Sequence, residues 1–164
     1  MKKILLFLLT ILPIYLLASL YFLDKDYFLS PIEYKRDIII RSDSRGEGFF
    51  AADRNGKRVH EGIDLFAEVD TPVLASRFGI VISAKQNQGM GNYIRIKHFG
   101  NMITIYGHLS NIYVVKGQFV RQGQVIGSVG KSGNANYRDI QPHLHFEVRK
   151  NGIPQDPLPY LKGI

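Results

Sequence analysis

Five histidines and no cysteine delimit the chemistry open to this 164-residue chain. Any bound metal must be held by imidazole and carboxylate groups, and no disulfide or thiolate site is available. Four of the histidines fall in three short segments. His60-Glu61-Gly62-Ile63-Asp64 begins like the motif of helical zinc proteases, but Asp64 stands where a second His belongs. Gly62 costs a helix about 1 kcal/mol and a β-branched Ile63 follows it, so the segment is not helical. Its imidazole and carboxylate can share a metal if the chain curves; alone, it reads as a polar turn entering a strand. In His143-Leu144-His145-Phe146-Glu147-Val148, strict alternation puts His143, His145 and Glu147 on one strand face and Leu144, Phe146 and Val148 on the other. The apolar face packs on a core while the other presents two neighbouring imidazoles. His108 follows a strand and Gly107, where the backbone can turn sharply and aim the ring into a groove. His98, in Ile96-Lys97-His98-Phe99-Gly100, sits where a strand meets a turn and is assigned to hydrogen bonding there or behind the site.

The elements that must position these residues are strands. From Gly46 onward, β-branched runs alternate with glycine-containing turns at 71–75, 79–83, 93–97, 102–106, 112–115, 124–129 and 144–148. This spacing predicts an all-β antiparallel sandwich or barrel, and no window keeps a helical period. A hydrophobic content of 45% suffices for a core. Residues 4–23 form an apolar run broken only by Thr10, Pro13 and Ser19. A helix of that length spans a hydrocarbon core of about 30 Å. Lys2 and Lys3 favour a cytoplasmic N-terminus and an exported remainder. A cleaved signal peptide is the alternative, but Leu16 and Leu17 occupy the −3 positions of the candidate cuts after Ala18 and Ser19. The chain divides into a 1–23 transmembrane anchor (or signal peptide), a 24–45 linker with one strand candidate at 38–40, and a 46–164 domain. The net charge of +7 suits an anionic partner or a merely basic surface. With no aromatic-basic strand motif or recognition helix, a nucleic-acid partner is not expected. The 115–130 stretch has the rhythm of a lipoyl or biotinyl carrier but lacks the modified-lysine tip.

Taken in order, the three segments resemble the lysostaphin/LytM family of zinc endopeptidases. The matches are H-x-x-x-D at His60 and Asp64, Y-x-H-L at Tyr106-Gly107-His108-Leu109, and H-x-H at His143-Leu144-His145. Thr71-Pro72-Val73, Gly91-Asn92-Tyr93, Gly123-Gln124-Val125-Ile126-Gly127 and Asp156-Pro157 match the intervening scaffold, and the resemblance covers 46–161. It implies an antiparallel β fold with a substrate groove over the sheet and a metal at its floor. His60, Asp64 and His145 would hold one Zn2+ per chain, a ligand set that leaves a position open for water. His108 and His143 would be the catalytic histidines. The substrate would be the peptide cross-bridges of bacterial peptidoglycan, in the cell envelope outside the cytoplasmic membrane. Glu147 either fixes an imidazole tautomer or makes an outward salt bridge. Some relatives have lost ligands or catalytic histidines and act as regulators or binding modules. All five positions are filled here, so an active enzyme is expected, with a catalytically silent wall-binding or regulatory module as the alternative. The 131–141 loop departs from the family pattern. Its Arg138 could pair with a wall-peptide carboxylate while Tyr137 covers the aliphatic part; the other reading is a solvated loop.

Overall fold

The computed structural model describes residues 10–15, 27–54, 56 and 58–162. Its strands in chain order are β1 (Phe28–Leu29), β2 (Ser42–Asp43), β3 (Gly46–Glu47), β4 (Ile63–Phe66), β5 (Pro72–Leu74), β6 (Gly79–Asn87) and β7 (Gly91–Lys97), then β8 (Met102–Ile112), β9 (Phe119–Val120), β10 (Val125–Val129), β11 (His143–Lys150), β12 (Ile153–Gln155) and β13 (Leu161–Lys162). Strands β4 to β12 form one sheet in the order β12-β11-β8-β7-β6-β9, with β4 beside β11 and β10 joining β5 to β8. Every pairing within that sheet is antiparallel. Among the described residues from 27 on, the expected all-β, mostly antiparallel class is what the domain adopts.

Alternation fixes the central strand. Leu144, Phe146 and Val148 of β11 are each 0% exposed and pack into a core with Ile63, Leu65, Ile94, Ile96, Tyr106 and Ile126. Burying an aliphatic or aromatic side chain stabilises by roughly 1.5–3 kcal/mol, so these residues dictate which face of β11 looks outward. That outward face is not open: His143, His145 and Glu147 are buried too. It forms the floor of a cleft. The runs expected at 102–106 and 112–115 resolve differently. Strand β8 continues to Ile112, while 113–115 lies outside any strand. The first half of β8 pairs with β11 and its last residues with β10.

The described part of the segment read as a linker, 27–45, packs onto the domain. Phe28 and Ile32 are 2% and 1% exposed. β1 runs parallel to β13 with Phe28 opposite Leu161, and Phe28 stands edge-on to His98 and Tyr160 at 5.5 and 5.8 Å between ring centroids. Two-residue strands carry no readable period, which is why the sequence pattern gave no sign of this docking. Phe28→Ala should lower unfolding stability by about 3–5 kcal/mol, read from the denaturant midpoint; an unpacked linker would leave the midpoint unchanged. The apolar run at 4–23 lies outside the described residues except for 10–15, which are helical and exposed. Among the described residues no helix is long and apolar enough to cross a membrane.

Candidate metal centre

Register brings the first two groups together. β4 pairs with β11 so that Asp64 lies directly opposite His145. His60 arrives from the preceding segment, tied to the chain before it by Ala51 N–H to His60 C=O (2.9 Å) and His60 N–H to Ala52 C=O (2.9 Å). At Gly62 a Cβ would collide with the Phe146 carbonyl, so glycine lets the chain cross β11 and curve. Nε2 of His60, Oδ1 of Asp64 and Nδ1 of His145 end up 3.0, 2.9 and 3.0 Å apart.

His108 is placed by a bulge. Between the pairs Asn92–Leu109 and Ile94–Tyr106, β8 sets Gly107 and His108 against the single Tyr93 of β7. His108 adopts φ +62°, at a cost of about 1–3 kcal/mol for a non-glycine residue, and its N–H donates to Met90 C=O at 2.7 Å. A bulge re-aims a side chain, and here the ring turns into the cleft, 4.9 Å from His143 and 5.8 Å from His145 between centroids. The base of the 131–141 loop closes this side. Gly91 and Gly133 meet so closely that a Cβ on either would collide with the other segment.

Each of the four rings has one nitrogen fixed by an acceptor. Nδ1 of His60, His108 and His143 faces the carbonyls of Phe49 (2.8 Å), Ser132 (2.9 Å) and Gln141 (2.7 Å). Nε2 of His145 faces Glu147 Oε1 at 3.0 Å. These partners assign the tautomers of the neutral rings: the proton sits on the outer nitrogen, and the inner nitrogen offers a lone pair. Two such lone pairs and the Asp64 carboxylate therefore converge within about 3 Å. That arrangement is relieved by a cation, either a metal ion held by the three residues or a further proton. A proton can play that part: burial alone would lower the His145 pKa, but hydrogen bonds to Asp64 and Glu147 lift it to about 9. Burial likewise opposes ionisation of Asp64, yet the polar contacts with His145 and His60 hold it well below the carboxylate range. A tetrahedral zinc at about 2.0–2.1 Å from each ligand needs them about 3.3 Å apart, so the donor set fits with a slight outward relaxation. The same three residues stand out among the described residues as able to hold a metal ion. His143 lies just beyond them, its Nε2 3.9 Å from Asp64 Oδ1. Burial, then the neighbouring histidines, lower the His108 pKa to about 3. Burial also lowers that of His143, against the opposing pull of Asp64.

Glu147 does both things considered for it. Its second oxygen accepts from Arg149 Nε at 2.6 Å. His98 bonds Phe78 C=O and Thr104 Oγ1, both at 2.8 Å, and does not line the cleft. Two residues that hold Asp64 from behind give little sign of it in the sequence. Arg41, 4% exposed, donates from Nε (3.3 Å) and Nη2 (3.0 Å) to Asp64 Oδ2, and Arg54 Nη2 joins at 3.1 Å. Together they occupy the second carboxylate oxygen and leave Oδ1 for the cluster. The sole sequence signal was a charged pair, Arg41 and Asp43, ending the 38–40 strand candidate. The cleft holds about 410 Å³; Tyr137 lines it and Arg138 does not.

The fold is an all-β domain in which two imidazoles and one carboxylate converge on a cleft floor and could hold a metal ion. Residues 58–157 match Peptidase family M23, and the chain belongs to that family. It is 42% identical over 100 residues to the peptidoglycan DD-endopeptidase ShyC of Vibrio cholerae, which covers 61% of this chain and 22% of ShyC. It is 36% identical over 109 residues to stage II sporulation protein Q of Bacillus subtilis, covering 65% of this chain and 38% of that protein. A zinc-containing peptidase from Vibrio cholerae superposes with a TM-score of 0.66 at 30% identity, over 86% of this chain and 41% of the other. The chain thus spans about a fifth of the length of a curated relative such as ShyC.

Proposed function

We propose that this protein is a zinc-dependent endopeptidase that hydrolyses peptide cross-links of bacterial peptidoglycan, with His60, Asp64 and His145 holding one Zn2+. The observation that carries this reading is the convergence of two lone-pair nitrogens and one carboxylate oxygen at 2.9–3.0 Å, each fixed from behind by a hydrogen-bond partner. Zinc bound there supplies Lewis acidity for the scissile carbonyl and lowers the pKa of water to about 7. His108 and His143 present unprotonated Nε2 atoms to the cleft. One takes the proton of the attacking water and the other, once protonated, serves the oxyanion or the leaving amine. Glu147 and the Phe49 carbonyl keep the two ligand rings in the tautomer that points a lone pair inward.

Residues 1–23 anchor the chain in the cytoplasmic membrane in this reading, with the 46–164 domain outside; the apolar run and its leading lysines support it. Membranes from cells producing the full-length chain should cut purified peptidoglycan, and chelator should stop them. Mass spectrometry of the released muropeptides identifies the bond. Activity confined to the soluble fraction would instead show a cleaved signal peptide. A second reading, a silent wall-binding or regulatory module, is favoured by one observation: stage II sporulation protein Q is named for a developmental stage, not an activity. Wall binding without turnover in the zinc-loaded protein would select it.

A further inference from the structure

Four arginines line the cleft, and the fold accounts for three. Arg41 is buried against Asp43 and Asp64. Arg54 donates to Asp64 and, at 2.8 Å, to Glu47 C=O. Arg45 pairs with Asp139 at 2.7 Å and lies over the Tyr137 ring. Arg58 is exposed, and its side chain has no ion pair or hydrogen bond among the described residues. It stands two residues before His60 on chain held extended by the Asp53–Val59 bridge, so both side chains leave the same face about 7 Å apart along the backbone. Arg54 is its neighbour: Arg54 N–H donates to Arg58 C=O at 2.9 Å. The Arg54 guanidinium is pressed down in pKa by burial first and then, against the pull of Asp64, by the charges of Arg41 and Arg58. An uncompensated cation beside another, facing a cleft, is relieved by an anion arriving with the substrate.

We propose that Arg58 determines specificity by binding a free carboxylate carried by the substrate within about two residues of the scissile amide, at roughly 3.3 Å per residue. The inference rests on the endopeptidase reading above. It favours direct cross-links, in which the diaminopimelate next to the scissile nitrogen carries a carboxylate, over glycine bridges, which carry none. It also moves to Arg58 the carboxylate-pairing role that the sequence suggested for Arg138.

The test uses the zinc-loaded full-length chain and two synthetic cross-linked peptides that differ only in that carboxylate or its carboxamide. A charge-assisted hydrogen bond of this kind corresponds to about ten- to a hundredfold in kcat/KM. The wild type should prefer the carboxylate peptide by that factor, mainly through KM. Arg58→Gln should bring the ratio to about one through loss on the carboxylate peptide, and Arg58→Lys should keep part of the preference. Labelled peptides followed by fluorescence anisotropy read the same discrimination without turnover. Equal wild-type kcat/KM and equal binding for the two peptides, or a preference that survives Arg58→Gln, would overturn the assignment. Discrimination in binding with neither peptide cut would overturn the endopeptidase reading and leave the anion subsite standing.

Discussion

Substitution of Asp64 is expected to remove the metal and the activity together. The purified wild type should carry about one zinc per chain; Asp64→Ala and His145→Ala should carry close to none, and hydrolysis should fall to background. Asp64 is the hinge of the cluster because its two oxygens do different work. Oδ1 stands 3.0 Å from His60 Nε2 and 2.9 Å from His145 Nδ1, while Oδ2 takes Arg41 and Arg54. Removing the carboxylate deletes one donor and the negative charge that offsets a divalent cation among buried imidazoles. It also strands part of the Arg41 guanidinium, and breaking a buried pair by deleting one partner costs about 3–5 kcal/mol. Asp64→Asn therefore accompanies it, keeping the shape and an acceptor oxygen while removing the charge. Elemental analysis gives metal per chain, and circular dichroism reports whether each variant is folded. Folded Asp64→Asn and His145→Ala proteins that both retain one zinc per chain would place the metal elsewhere.

How far the sequence exposes this site follows from the range of the interactions involved. The H-x-H face of β11 was legible because strand alternation is local and strict, and Leu144, Phe146 and Val148 are fully buried on the other side. The curve that joins His60 to Asp64 was legible only as a non-helical segment containing Gly62. What glycine is needed for, the Phe146 carbonyl, lies 84 positions along the chain, beyond any local pattern. His108 was placed at a sharp backbone feature, and the feature is a bulge inside a strand that continues, since β7 and β10 take up the pairing on either side of it. Arg41 and Arg54 were invisible as functional groups because an arginine in a basic chain resembles surface charge until its carboxylate partner is known. The docking of 27–45 was hidden for a related reason. Phe28 pairs with Leu161 across nearly the whole chain, and isolated apolar residues in a charged stretch carry no period.

His108→Ala and His143→Ala should each keep about one zinc per chain and lose about 10²–10⁴ in kcat/KM, the range for general acid–base help. The structure separates these rings from the ligands in a measurable way. Neither contributes to the 2.9–3.0 Å triangle; His143 Nε2 stands 3.9 Å from Asp64 Oδ1. Each has Nδ1 turned to a main-chain carbonyl, Ser132 or Gln141, so each presents Nε2 to the cleft as an acceptor. Burial holds both below the ordinary imidazole pKa, His108 at about 3. A base with a lowered pKa stays unprotonated further into acid, and activity disappears as pH falls through that lowered value. The acid limb of kcat/KM should therefore lie below the ordinary imidazole value of about 6.5, and it should flatten in whichever variant has lost the base. If the two rings serve one transition state, the double variant should lose far less than the product of the single losses. His98→Ala is the comparison, since that ring bonds Phe78 and Thr104 away from the cleft. An unchanged rate in either single variant would reduce that ring to a structural part, and loss of zinc in either would make it a ligand.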